Sequence, residues 1–263
     1  MQKHYFLLTV PGAILAVVLG AGNAQATECK FEKDIDITLD LAGSELLSVA
    51  AAAGDLAITG QAGTSEARVR GKLCVSEEEW LDEAAVHTEG GRKASIAVSL
   101  PGTGGWGIVF DRYAYVDLDI EVPAGLALDI RDSSGDVTVR GTGPVTLQDS
   151  SGDIELEDVK GGTVLKDSSG DIELRRIVGD VTVRQDSSGD IFGRDIQGSV
   201  LVEHDSSGEI RFEQVGGDYV VEHDSSGDIV AETVGGDFRV LRDGSGDVRH
   251  AGVTGAVKVP GEG

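Results

Sequence analysis

Positive charge is scarce in this 263-residue chain: 22 Lys and Arg stand against 46 Asp and Glu, a formal net charge of −24. That shortage excludes nucleic acid and anionic membrane surfaces as partners, because both require a cationic face. Cysteine is nearly absent too, with only Cys29 and Cys74. No long apolar run follows the first 26 residues, so no integral membrane segment is expected beyond them.

Those 26 residues read as an export signal. Lys3 and His4 form a basic start, Phe6 to Ala21 is apolar apart from Thr9, Pro11 and glycines, and Ala24-Gln25-Ala26 has the small-x-small form of a cleavage site. Residues 1–26 are therefore expected to leave, giving a soluble exported chain of the periplasm, cell surface or extracellular space. In such an oxidising compartment Cys29 and Cys74 are expected to form a disulfide rather than remain as two thiols.

What is abundant is a turn. DSSGDI occurs at 149, 167, 186 and 224, and close variants occur at 132, 205 and 243. Counting from the first Asp of each, Asp132, Asp149, Asp167, Asp186, Asp205, Asp224 and Asp243, the spacings are 17, 18, 19, 19, 19 and 19. Five residues on stand Val137, Ile154, Ile172, Ile191, Ile210, Ile229 and Val248. A second column, from Val139 and Leu156 to Ala231 and His250, varies in size. A third runs Thr142, Val159, Ile177, Ile196, Val215, Val234, Val253. Each period contains two short alternating strands and two glycine-bearing corners. One unit cannot bury its apolar side alone, whereas stacked units place like residues over like about 4.8 Å apart. The expected fold is all-β: a parallel β-solenoid of about seven coils of 17–19 residues over 126–263.

Residues 27–125 are less regular. Asp34 to Leu41, Ala67 to Leu73 and Val116 to Val122 alternate as half-buried strands, and Gly90-Gly91 marks a hairpin. Ser76-Glu77-Glu78-Glu79 has capping-box spacing and predicts one short helix through Ala85. Gly54-Asp55-Leu56 resembles a degenerate early coil, so this region is expected to extend and cap the stack.

Two readings of the acidic turn stand side by side. In the first it is a self-capping corner, its Asp and Ser side chains accepting turn amides while Gly supplies backbone freedom. Solvent-exposed ladders of like charge are tolerable there, since neighbours 4.8 Å apart repel by only about 0.9 kcal/mol in water. In the second, the carboxylate ladder binds Ca²⁺ weakly, although the nine-residue glycine-aspartate spacing of calcium-binding β-rolls is missing. No other cofactor is expected. His204 and His223 share a column, but no third His or Cys repeats beside them. Gly102 to Gly107 has the letters of a dinucleotide loop without the helix that must follow. Seven near-equivalent serines with no matching histidines argue for architecture rather than nucleophilic catalysis.

The SSGDI and GGD repeats, with the exported start, Arg70-Gly71-Lys72-Leu73-Cys74 and the Leu100-Pro101 junction, resemble the bacterial β-strand-repeat family often labelled "putative adhesins". The resemblance implies an exported β-solenoid and carries over no catalytic residues. A non-enzymatic structural or interaction protein is expected, binding a protein or glycan of the cell envelope through an acidic repeat surface. The alternative is a glycan- or calcium-binding module using the aromatic loop of Trp106, Phe110, Tyr113 and Tyr115. A polysaccharide-processing enzyme would need a cluster of unlike groups breaking the repeat, which the sequence lacks. Lys258 and Pro260 blunt the terminal edge, so a monomer or weak dimer is expected.

Overall fold

The computed structural model describes residues 29–102 and 112–260. The expected export signal, and Trp106 and Phe110 of the aromatic loop, lie outside the described residues.

The first part of the chain forms β1 (Phe31–Asp40), β2 (Leu46–Ala50), β3 (Leu56–Gln61), β4 (Glu66–Val75), α1 (Trp80–Glu83), β5 (Ala85–Glu89), β6 (Lys93–Ser99) and β7 (Ala114–Pro123). The repeats then supply β8 (Ala127–Arg131), β9 (Val137–Arg140), β10 (Val145–Gln148), β11 (Ile154–Glu157), β12 (Thr163–Lys166), β13 (Ile172–Ile177), β14 (Val181–Gln185) and β15 (Ile191–Ile196). They end with β16 (Val200–Asp205), β17 (Ile210–Val215), β18 (Tyr219–Asp224), β19 (Ile229–Val234), β20 (Phe238–Val240), β21 (Val248–Val253) and β22 (Val257–Lys258).

Among the described residues the strands build two 11-stranded sheets facing each other. From β8 onward even-numbered strands enter one sheet and odd-numbered strands the other, so each coil contributes one strand to each and the chain winds as a parallel β-solenoid. Register follows the sequence columns: Ile154 pairs with Ile172, Ile172 with Ile191, Ile191 with Ile210 and Ile210 with Ile229. These aliphatic residues are buried and form one continuous core. Where the column carries Gly193, a Cβ would meet the Phe212 ring at 2.2 Å, so the missing side chain is the space that Phe212 fills from the next coil.

The changing repeat length has a structural cause. Gly143-Pro144 makes a corner that Lys160-Gly161-Gly162 makes one residue longer, which turns 17 into 18. Between β12 and β14 the register slips by one, Leu165 opposing Val183 and Lys166 opposing Gln185, which turns 18 into 19.

The earlier region does not stack in chain order. β2 lies between β6 and β8, and β3 between β7 and β9, with Leu56 opposite Val137 and Ile58 opposite Val139. The coil made by β2 and β3 is therefore clasped between two coils made later in sequence. Beyond it the parallel order ends: β4 runs antiparallel between β1 and β7, and β5 runs antiparallel to β6. The Cys29–Cys74 disulfide joins the start of β1 to β4 with Cα atoms 5.5 Å apart.

The helix is shorter than its sequence signal, a single turn over Trp80–Glu83 whose N-cap Glu79 makes no side-chain capping bond. Ser76 is buried, and its hydroxyl accepts the Tyr113 amide at 3.1 Å instead of capping the helix. Tertiary pairing has claimed the residue that local spacing assigned to a cap. Buried Trp80 does the anchoring, with the Arg112 guanidinium 5.0 Å from its ring centroid.

Candidate functional site

The DSSGD corner joins the two sheets, and each of its positions makes a distinct contact. The glycine has φ between +119° and +146° along the column, and a Cβ at Gly170 would lie 1.9 Å from the Gly152 carbonyl oxygen. Only glycine fits both the left-handed backbone and the coil-to-coil approach. The second serine reaches backward: the Ser207 hydroxyl donates to the Ser187 carbonyl at 3.2 Å, and Ser226 does the same to Ser206 at 3.1 Å.

The second acidic residue forms an exposed column. Asp136 Oδ1 accepts the Asp153 amide at 3.0 Å, Asp153 Oδ1 the Asp171 amide at 2.9 Å, and Asp171 Oδ1 the Asp190 amide at 2.8 Å. The ladder continues to Glu209 and reaches back through Asp55 to Asp117. Each carboxylate thus ties its coil to the next through one oxygen. A matching ladder at another corner uses Asp180, Ser199, Asp218 and Asp237. Arg249 and the Asp247 amide hold Asp228 below the usual carboxylate range, the backbone bond being the larger cause.

The first aspartate behaves differently, and here the expectation of a solvent-exposed ladder is corrected. Asp132, Asp149, Asp167, Asp186, Asp205 and Asp224 are all buried, at 6, 2, 0, 1, 3 and 5% exposure. Parity explains the direction. Val145 and Leu147 point inward, and Asp149 continues that alternation. In the 19-residue coils the extra residue leaves two consecutive outward positions, such as Arg184 and Gln185, so that Asp186 still turns in. Sequence reasoning missed this burial, although the spacing of Leu147 and Asp149 already carried the signal.

In the interior the acids are under-supplied with donors. Asp149, Asp186 and Asp205 each accept the following serine amide through Oδ1, at 2.6, 2.7 and 2.8 Å. Their Oδ2 atoms have no partner, nor do both oxygens of Asp132 and Asp167. Among the described ion pairs none includes a carboxylate of this column. Two charges about 4.8 Å apart at an effective dielectric of about 20 repel by roughly 3.5 kcal/mol, several times the value in water. Burial accordingly pushes Asp132 and Asp205 up to about 7, with neighbouring column charges as the next cause. Asp167 rises to about 6, again through burial first. Asp149, Asp186 and Asp224 are raised for the same leading reason.

Tyr219, fully buried between Phe212 and Phe238, also has an unpartnered hydroxyl, and burial followed by the charges of Asp224 and Asp205 raises it well above its ordinary value. His204 and His223 stack outside the corner with centroids 4.9 Å apart, and Arg242 contacts His223 at 3.1 Å. Among the described residues no group of three or more His, Cys, Asp or Glu is placed to hold a metal ion. Tyr113 and Tyr115 lie at the cap with ring centroids 6.1 Å apart, and the Tyr113 hydroxyl accepts the Lys30 amide at 3.1 Å.

Grooves also lie elsewhere on the surface. One of about 610 Å³ follows a corner where Asp158, Arg176, Asp195, Gln214 and Thr233 all have φ between +55° and +60°. Another, about 450 Å³, lies at the cap between β1 and β5 and is lined by Ile35, Ile37, Val86 and Leu100. Neither of these was foreseen from the sequence.

The class that fold and corner define is a parallel β-solenoid built on stacked carboxylate ladders. No family model and no curated protein matches the chain. Among solved structures it is similar to a "putative cell adhesion protein" from Clostridium sporogenes, at 17% identity over 87% of this chain and 99% of that one, with TM-score 0.32. It is also similar to a "putative lipid binding protein" from Parabacteroides distasonis, at 14% identity, 86% and 96% coverage and TM-score 0.38. A "putative adhesin" from Bacteroides fragilis matches at 13% identity, 86% and 97% coverage and TM-score 0.37.

Proposed function

We propose that this chain is an exported, non-enzymatic interaction protein of the cell envelope that offers its exposed carboxylate column to cationic segments of a protein partner. The observation that carries this reading is the ladder from Asp117 through Asp55 to Glu209, in which the stack itself fixes one charged group per coil at the surface. Regular spacing suits an extended partner, and attraction at an exposed edge weakens with salt. The conserved geometry from coil to coil offers the same group repeatedly rather than a local set of unlike groups, which favours binding over catalysis. A monomer or weak dimer suits the exposed Lys258 and Pro260, which blunt the edge beside the last strand.

The test is titration of the mature chain with an oligo-lysine peptide, followed by calorimetry at low and high salt. Affinity is expected to fall with salt and to drop roughly three- to hundredfold when Asp153, Asp171 and Asp190 are together changed to Asn, since three charge pairs are removed. Equal affinity of that variant for the peptide overturns the reading.

A further inference from the structure

The interior of the corner holds six acids in one file, and nothing in the proposed partner surface uses them. Asp205 pairs with Asp224 across β16 and β18, and Asp224 bridges to Asp243, so the file follows the coil register. The members are 0–6% exposed, and each has at least one oxygen without a partner. A buried carboxylate oxygen without a donor is costly, and a proton is the smallest ligand that turns one of two facing carboxyls into a donor for the other.

We propose that this file is a proton-binding site: neighbouring aspartates share protons in carboxylic acid–carboxylate hydrogen bonds at neutral pH, linking the stacking of the solenoid to acidity. A proton from water adds to one carboxylate, and the resulting O–H donates to the next. No other group is consumed. A fully ionised file would set like charges side by side in a dry corner, whereas a file with protons between neighbours satisfies the orphaned oxygens.

Among the described residues the surroundings supply no competing counter-charge. On the interior side the packed titratable group is Tyr219, whose hydroxyl is neutral at any ordinary pH. Outside the corner, Arg131 and Lys166 directly precede file members and Arg242 precedes Asp243, but all three are exposed, and Arg131 and Arg242 are engaged with Asp129 and His223. His204 and His223 stack on each other outside the file. The remaining neighbours, Asp55, Asp136 and Asp171, are negative and favour proton uptake further.

The sign follows from proton counting. Groups with folded values raised above 3.8 bind more protons folded than unfolded, so their stabilisation is complete below that value and is lost as pH rises through about 6 to 7. In about 1 M NaCl, where the screening length is about 3 Å, repulsion among surface charges is suppressed and the buried file is not. The experiment measures Tm of the mature chain in that salt from pH 5.5 to 8, together with the infrared carbonyl band of protonated carboxyls at pH 7.

The expected result is a Tm on the order of 10 °C lower at pH 8 than at pH 5.5, and a protonated-carboxyl band that weakens in Asp205→Asn but not in the exposed control Asp153→Asn. A Tm that is flat or rises with pH, or a wild-type spectrum without that band at pH 7, overturns the proposal. Should Asp205→Asn fail to fold, the wild-type band and Tm profile decide alone.

Discussion

Asp167 and Asp171 belong to one turn, four residues apart, yet the first is fully buried and the second lies on the surface. Asp171 accepts an amide from the next coil, and its free oxygen meets water. Asp167 lies near the amides of Ser168 and Ser169, neither of which completes a hydrogen bond, and burial raises it to about 6. The same side chain is thus a surface fastener on one side of a corner and a proton acceptor on the other. What separates the roles is strand parity, together with the glycine that lets the chain double back between them.

The harshest way to break this contrast is to remove the glycine. Gly170→Ala puts a Cβ 1.9 Å from the Gly152 carbonyl oxygen at a φ of +131°, and the expected loss exceeds about 4 kcal/mol in urea unfolding. Next comes the buried column: Asp167→Phe forces a ring into a position that is fully buried between two coils, with an expected overpacking cost of about 1–3 kcal/mol by the same measurement. Asp153→Ala on the exposed column removes one bond to the Asp171 amide, which water then solvates, and should cost about 1 kcal/mol.

Acid sharpens the contrast because the two sides respond with opposite sign. Asp228 and Asp237 are held below 3.8, by the Asp247 amide and by Arg239 respectively, so their stabilisation is present above that value and lost as pH falls through their lowered values. The buried file loses its own contribution on the alkaline side. Thermal melts across pH are therefore expected to peak in the mildly acidic range. The smallest effect concerns calcium: with one oxygen of each exposed carboxylate already accepting an amide, a chelator is expected to leave Tm unchanged within about 1 °C.

Much of the architecture was legible in the residues. The columns through Ile172 and Ile177 specified parallel stacking, and the hairpin at Gly90-Gly91 formed as its glycines indicated. The candidate site was legible only in part. The DSSGD letters marked the corner, but identical letters said nothing about which aspartate faced inward until Leu147 and Asp149 were placed on one face. Ser76 shows the opposite failure, a sound local signal for a helix cap overridden by a bond to the Tyr113 amide from 37 residues away.

The amino-acid order alone determined the period, the glycine at every corner and the aliphatic file along each strand, because strand alternation and turn geometry act over a few residues. Only the tertiary structure decided that the coil of β2 and β3 is clasped between strands made later, and that the first aspartates lose their water. Both depend on partners distant in sequence: pairing across the sheets fixes the order of the coils, and desolvation comes from neighbouring coils closing over a side chain from above and below.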